Sequence, residues 1–170
     1  ENSECDIQMF RVTAEGTLDP AFGDAGVLTL DLDDVPRPGL GELGSYEAIY
    51  ELNARADGSE YLLGGDVSLA GNTASAPFAA RISSSGQVLA ARVIALEGTQ
   101  LGSIDAIDYA SNGEIWIAGR ARRTGEDGFP LLVGRLAAAD LAPLAIDIGT
   151  SGSWIVLGGR MLRPDTFVVG

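Results

Sequence analysis

Apolar residues along this chain come in short runs, each entered through a turn signal and closed by glycine. The pattern occurs three times: Asp57-Gly58 before Tyr61-Leu62-Leu63-Gly64-Gly65, Asn112-Gly113 before Ile115-Trp116-Ile117-Ala118-Gly119, and Ser151-Gly152 before Trp154-Ile155-Val156-Leu157-Gly158-Gly159. Asp-Gly and Asn-Gly ahead of a β-rich run are strong hairpin signals, because such turns need positive φ. A second kind of run meets arginine and a small-residue turn: Phe10-Arg11 leading to Gly16, Phe78 to Arg81 leading to Gly86, and Leu131 to Arg135 leading to Asp140. A third comes after that turn and ends on an acid, in Val27 to Asp31, Val93 to Glu97 and Pro143 to Asp147. A fourth precedes the Asp-Gly or Asn-Gly turn, in Glu47 to Ala54 and Ser103 to Ala110.

Four runs in one order predict a repeat of four antiparallel strands. The step is 54 residues from Gly65 to Gly119 and again from Arg81 to Arg135, against roughly 40 to 50 for common propeller blades. The expected organisation is a partial first repeat over 1–45 with a mobile Pro/Gly-rich surface loop at 33–45, full repeats over 46–102 and 103–152, and a partial last repeat over 153–170. Residues 46–136 are expected to form two four-stranded sheets packed face to face without helix. Gly119 to Gly159 spans 40 residues, which leaves no room for a first strand before Gly152; either the last unit lacks it or residues are missing near Gly149 to Ser151. Radial stacking hides sheet faces and leaves short edges, so the expected fold class is all-β, with propeller-type repeats in four-stranded blades. About three blades are visible. Three cannot close a ring of the usual four to eight, so further blades are expected from the same or another chain, covering Phe10, Trp154, Ile155 and Phe167.

At the first arginine turn the sequence becomes specific. Arg11-Val12-Thr13-Ala14-Glu15-Gly16-Thr17-Leu18-Asp19-Pro20-Ala21-Phe22-Gly23-Asp24-Ala25-Gly26 resembles the bacterial delta-60 repeat, whose core reads roughly R-L-x-x-x-G-x-L-D-x-x-F-G-x-x-G. Asp57 to Gly65 and Asn112 to Gly119 resemble its D-G-K-I-x-x-x-G stretch, with Ser or Glu in place of Lys. The later arginine turns keep Arg81 and Arg135 but lose the L-D-x-x-F-G tail. The resemblance implies a propeller in an exported or surface protein, and it implies no single activity.

Composition narrows the chemistry. Of 170 residues 46% are hydrophobic and 23 are glycine, enough apolar surface for a core joined by tight turns. The net charge of −13 repels polyanions and makes nucleic acid a poor partner. All 11 basic residues are arginine; the chain has neither Lys nor His. This excludes a P-loop lysine, a Schiff base, histidine-activated Ser or Cys nucleophiles and imidazole metal ligands. One cysteine, Cys5, excludes an internal disulfide and leaves a free thiol, a bridge to another segment or a lipid-anchored residue. No apolar run is long enough to span a membrane.

Within those limits the candidate sites are few. Arg11, Arg81 and Arg135 are expected to be structural staples, one guanidinium tying several carbonyls, with Gly65, Gly119 and Gly159 closing their strands. Trp116 and Trp154 are expected to fill space between blades. Asp31, Asp33 and Asp34 are the dense acid cluster, and hard oxygen ligands at that spacing suit Ca²⁺, although no D-x-D-x-D-G loop is present. Glu47, Glu51, Asp105 and Asp108 fall on the strands expected to lie innermost, nearest a central channel, and form the candidate ligand-binding set. The functional expectation is an exported, non-catalytic scaffold at the cell surface, in the medium or in the periplasm, binding a protein or glycan through its loop face. The alternatives are a glycosidase or lyase using paired channel carboxylates and a structural subunit of a surface assembly.

Overall fold

The computed structural model describes residues 6–71, 73–150, 156–163 and 166–169. Cys5, Trp154 and Ile155 lie outside the described residues, as do the side chain of Phe167 and Ser151, the last residue of the 149–151 stretch where a gap is expected.

Among the described residues the chain is all strand and turn, with no helix. The strands are β1 (Asp6–Phe10), β2 (Val27–Asp31), β3 (Leu43–Ala54), β4 (Glu60–Leu69), β5 (Ser75–Ser83), β6 (Val88–Val93), β7 (Thr99–Tyr109), β8 (Ile115–Arg123), β9 (Leu131–Leu136), β10 (Pro143–Ile148), β11 (Gly159–Arg163) and β12 (Thr166–Val169). They make two four-stranded meanders, β3-β4-β5-β6 and β7-β8-β9-β10, and two hairpins, β1-β2 and β11-β12. All pairing is antiparallel. No closed ring forms among the described strands.

The turns form as their sequences require. Gly58 has φ +70° and Gly113 +85°, values that side chains resist. The Gly58 amide donates to the Arg55 carbonyl at 2.8 Å and the Gly113 amide to that of Ala110 at 3.0 Å. Asp57 and Asn112 then accept the amide two residues on, from Ser59 at 2.9 Å and Glu114 at 3.0 Å, which is the Asx-turn chemistry that favours these residues here.

Period-two alternation sends each sheet's side chains into two cores. On β5, Phe78, Ala80 and Ile82 pack with Ile7, Phe22, Leu28 and Leu30 of the first hairpin and its turn. Ala79, between them, faces the other way and packs with Leu62, Ile104, Ile107 and Ile117 against the second meander. A smaller cluster of Ala106, Ala118 and Val156 lies beyond that meander, where β11 runs beside β7. The order of packing thus matches the order of sequence.

Two glycines set how closely the first two strands of each meander approach. A Cβ on Gly65 would lie 1.9 Å from the Ala48 carbonyl oxygen, and one on Gly119 would lie 2.0 Å from that of Ser103. Both contacts sit where the first strand slips register, at Ile49/Glu51 and Ile104/Ala106. Only glycine fits such bulged contacts. None of the three motif glycines closes a strand as expected: Gly65 and Gly119 lie inside β4 and β8, and Gly159 is the first residue of β11.

Two further expectations need correction. The fourth strand of the first meander is Val88–Val93, not Val93 to Glu97. Ile94 is only 1% exposed but belongs to a buried connection, its amide donating to the Pro77 carbonyl at 2.8 Å. The 33–45 segment is not simply a surface insertion: Val35 is buried in the first core, Leu40 packs against it, the Pro36 carbonyl accepts the Val93 amide at 3.0 Å, and Leu43 already belongs to β3.

Candidate functional site: a polar cleft between the two meanders

The two meanders meet tightly along their length but part at one end, where the β4–β5 and β8–β9 connections emerge. There a cleft of about 200 Å³ opens between Tyr50 of β3, Asp66 of β4, Ser75 of β5, Ser103 of β7, Arg120 of β8 and Phe129 of the loop before β9. Asp66 and Arg120 stand at equivalent places, each directly after the glycine that admits the first strand. The same strand position therefore presents an acid from one sheet and a cation from the other.

Arg120 is held by Asp105. Its Nε donates to Asp105 Oδ2 at 2.7 Å and its Nη2 to Oδ1 at 3.4 Å, a fork-to-carboxylate geometry of the strong kind. Asp105 is 4% exposed, so both its oxygens face the guanidinium and neither is presented to the cleft. The Arg120 pKa is raised by that bond, against the lowering effect of burial, and its guanidinium lies 5.9 Å from the Tyr50 ring.

Asp66 has no such partner. Burial pushes its carboxyl above the usual carboxylate range, with hydrogen bonding from Ser75 and Tyr50 opposing the shift. Its Oδ1 is buried without a hydrogen-bond partner. An unmet acceptor in a low-dielectric recess is costly to the fold and attractive to a ligand bearing donors. Tyr50 in turn has its phenol pushed up by burial and by the nearby Asp66 charge. At the lip, Arg122 lies 5.5 Å from the Phe129 ring and its Nη2 donates to Gln100 Oε1 at 3.1 Å.

Of the sequence candidates, only Asp105 reaches this cleft, and it does so as the anchor of Arg120. Glu47 is partly buried on β3 with Oε2 lacking a partner. Glu51 is partly buried on the same strand, and Asp108 Oδ1 accepts the Tyr109 amide at 2.8 Å. The four do not converge on the cleft. Asp31, Asp33 and Asp34 lie at the exposed end of β2, where Asp31 Oδ1 accepts the Asp33 amide at 2.8 Å and Arg37 donates to the Asp33 carbonyl at 2.6 Å. Among the described residues no group of three or more Cys, Asp or Glu is placed to hold a metal ion.

Among the described residues Arg11 and Arg81 each reach one carbonyl of the next unit, rather than the several expected, and all three motif arginines pair with an acid of their own unit. Arg11 Nη1 donates to the Ser84 carbonyl in the β5–β6 turn, and Arg81 Nη1 donates to the Ala138 carbonyl in the β9–β10 turn. Each also pairs with an acid: Arg11 with Asp19 at 2.9 Å, Arg81 with Glu60 at 2.7 Å and Arg135 with Glu114 at 3.0 Å. Glu60 further accepts the Tyr109 hydroxyl from the second meander at 2.5 Å. Trp116 lines an outward groove beside Arg135.

Comparison with known proteins gave no matching family model and no matching curated protein. No helix among the described residues is long and apolar enough to cross a membrane.

Proposed function

We propose that this chain is part of an exported, non-catalytic scaffold of propeller-type repeats, of the delta-60 kind, that binds a neutral glycan through the cleft between its two meanders. The observation that carries the reading is the unmet Oδ1 of Asp66, opposite the Asp105-anchored Arg120, in a recess rimmed by Tyr50 and Phe129. Aromatic faces beside a carboxylate acceptor, a guanidinium donor and serine hydroxyls are the groups that a sugar ring, with its apolar face and hydroxyl edge, can satisfy together. The volume is below the roughly 300–1,000 Å³ of drug-sized pockets, which matches one sugar unit of a longer chain. The cleft opens on a loop-bearing end, where binding residues commonly gather.

Glycoside hydrolysis needs two carboxyl groups flanking the bond, one to donate a proton and one to act as base or nucleophile. Here Asp105 is closed off by Arg120, and among the described residues Asp66 is the one carboxylate that lines the cleft. That favours binding over turnover.

Titration calorimetry against a panel of neutral mono- and oligosaccharides tests the reading. Affinity for one of them on the order of millimolar, lost in Asp66→Asn and in Arg120→Leu, supports it. Asp66-independent binding, or no binding across the panel, overturns it, and release of reducing ends would move the chain to the hydrolases.

A further inference from the structure

Each meander turns the equivalent face toward the C-terminal side of the stack, and among the described residues the first meander's is the more fully covered. On β3-β4-β5-β6 that face carries Leu62 opposite Arg81 and Ala79 opposite Arg92. Leu62 and Ala79 are completely buried against the second meander. Arg81 reaches the Ala138 carbonyl, and Arg92 Nε donates to the Asp140 carbonyl at 3.0 Å. On β7-β8-β9-β10 the same places hold Trp116 opposite Arg135 and Val133 opposite Asp147. These line a groove of about 210 Å³ that also includes Ala145. The Arg135 side chain is 42% exposed against 15% for Arg81, and among the described residues its polar partner is Glu114, on its own sheet.

We propose that this face, centred on Arg135, Glu114 and Trp116, is the docking surface for the arginine-type turn and adjoining strand of a further repeat unit, whose turn carbonyl Arg135 takes as Arg11 takes Ser84 and Arg81 takes Ala138. The occupant is a strand-turn-strand element rather than an arbitrary apolar partner, for three reasons. The identical contact is already made twice inside the chain. A two-stranded sheet already lies on this side, since β11 runs beside β7 and Val156 packs on Ala106 and Ala118. The sequence of β12 and its flank, Phe167-Val168-Val169-Gly170, runs parallel to Leu131-Leu132-Val133-Gly134, the residues directly ahead of Arg135. An element that pairs with β12 would therefore bring its own turn to the height of Arg135, adding edge hydrogen bonds to the arginine contact.

The experiment grafts residues 135–148 directly after Gly170 of the full chain, and monitors amide hydrogen exchange in β9. A charge-assisted hydrogen bond and a covered face should slow exchange there by at least about tenfold relative to the ungrafted chain. Arg135→Ala at the original position should abolish most of that protection in the grafted chain, and change β9 exchange by less than about twofold in the ungrafted one. A second graft, residues 81–93, should act the same way, because the contact is to backbone. Exchange in β4 and β5 reports whether each variant is folded. Unchanged β9 exchange with both grafts, protection that survives Arg135→Ala, or loss of β4 protection with both grafts overturns the proposal. So does an Arg135-dependent oligomer of the ungrafted chain in sedimentation, which would make the occupant a second copy.

Discussion

The Tyr109 hydroxyl donates to Glu60 across the junction between the meanders at 2.5 Å, and Arg81 meets the same carboxylate at 2.7 Å from within Glu60's own sheet. One acid thus ties strands of both sheets and the arginine that reaches onward to Ala138. Tyr109→Phe removes the bond across the junction and leaves the ring, so the expected loss is about 1.5 kcal/mol, the low end for a hydrogen bond to a charged partner. Urea unfolding of the two proteins measures it.

The same pair makes stability depend on alkaline pH. Burial, then the bond to Glu60, raises the Tyr109 pKa to about 12. A raised pKa means that the folded chain holds the proton more tightly, so the contribution is complete below pH 10 and is lost as pH climbs toward 12. Melting curves of the wild-type chain should fall through that window beyond any common baseline, and the Tyr109→Phe curve should fall less.

At acid pH the sign reverses for Glu60. Burial alone would raise it, but hydrogen bonds from Tyr109 and Arg81 outweigh that and hold it below its ordinary value of 4.5. Its contribution is present above that value and is lost as pH falls through the lower folded one. Glu60→Gln should be less stable at neutral pH and should show a shallower acid decline.

Asp66 is expected to act against the fold and for the site. Its pKa is raised chiefly by burial, so its effect on stability is best at low pH and declines as pH rises through the folded value. Asp66→Asn should therefore raise the melting temperature at neutral pH while abolishing glycan binding. A substitution that weakened both would show that the carboxylate supports the fold.

The strand-spacing glycines give the largest expected structural effect. Gly119→Ala places a methyl against backbone at 2.0 Å, contact that no side-chain rotation relieves, with an expected cost of about 3 kcal/mol or more. Gly65→Ala should match it, because the geometry is the same. Thermal unfolding of both variants, against Gly41→Ala where a Cβ meets nothing within 4 Å and φ is not positive, separates the steric cost from the general loss of glycine.

The strands and hairpins are legible in the sequence because turn chemistry and alternation act locally. Asp57-Gly58 and Asn112-Gly113 force chain reversal whatever lies nearby. Apolar pattern places the fourth strand of the first meander too far along the chain because it reports burial, not pairing, and Ile94 is buried while bonded outside the ladder. The cleft is harder to see, since no motif marks it. Its one signal is relational: Asp66 and Arg120 lie 54 residues apart, each just after the motif glycine, so the repeat itself aligns an acid with a cation. The innermost-strand acids are picked out by strand and not by face; Glu51 and Asp108 share strands with Tyr50 and Ser103 without sharing the cleft.

The contacts that the motif arginines Arg11 and Arg81 make between units end on main-chain oxygen, at Ser84 in one case and Ala138 in the other. A carbonyl is supplied by every residue, so the receiving position is free to change its side chain while the giving arginine is not. Drift should therefore be asymmetric: Ser84 and Ala138 can change side chain and keep the carbonyl, whereas Gly86 is held by the Gly23 backbone, 2.4 Å from where its Cβ would lie, and Asp140 by its pairing with Arg92. Copies of such a unit can diverge until only a guanidinium and a few glycines betray their common plan.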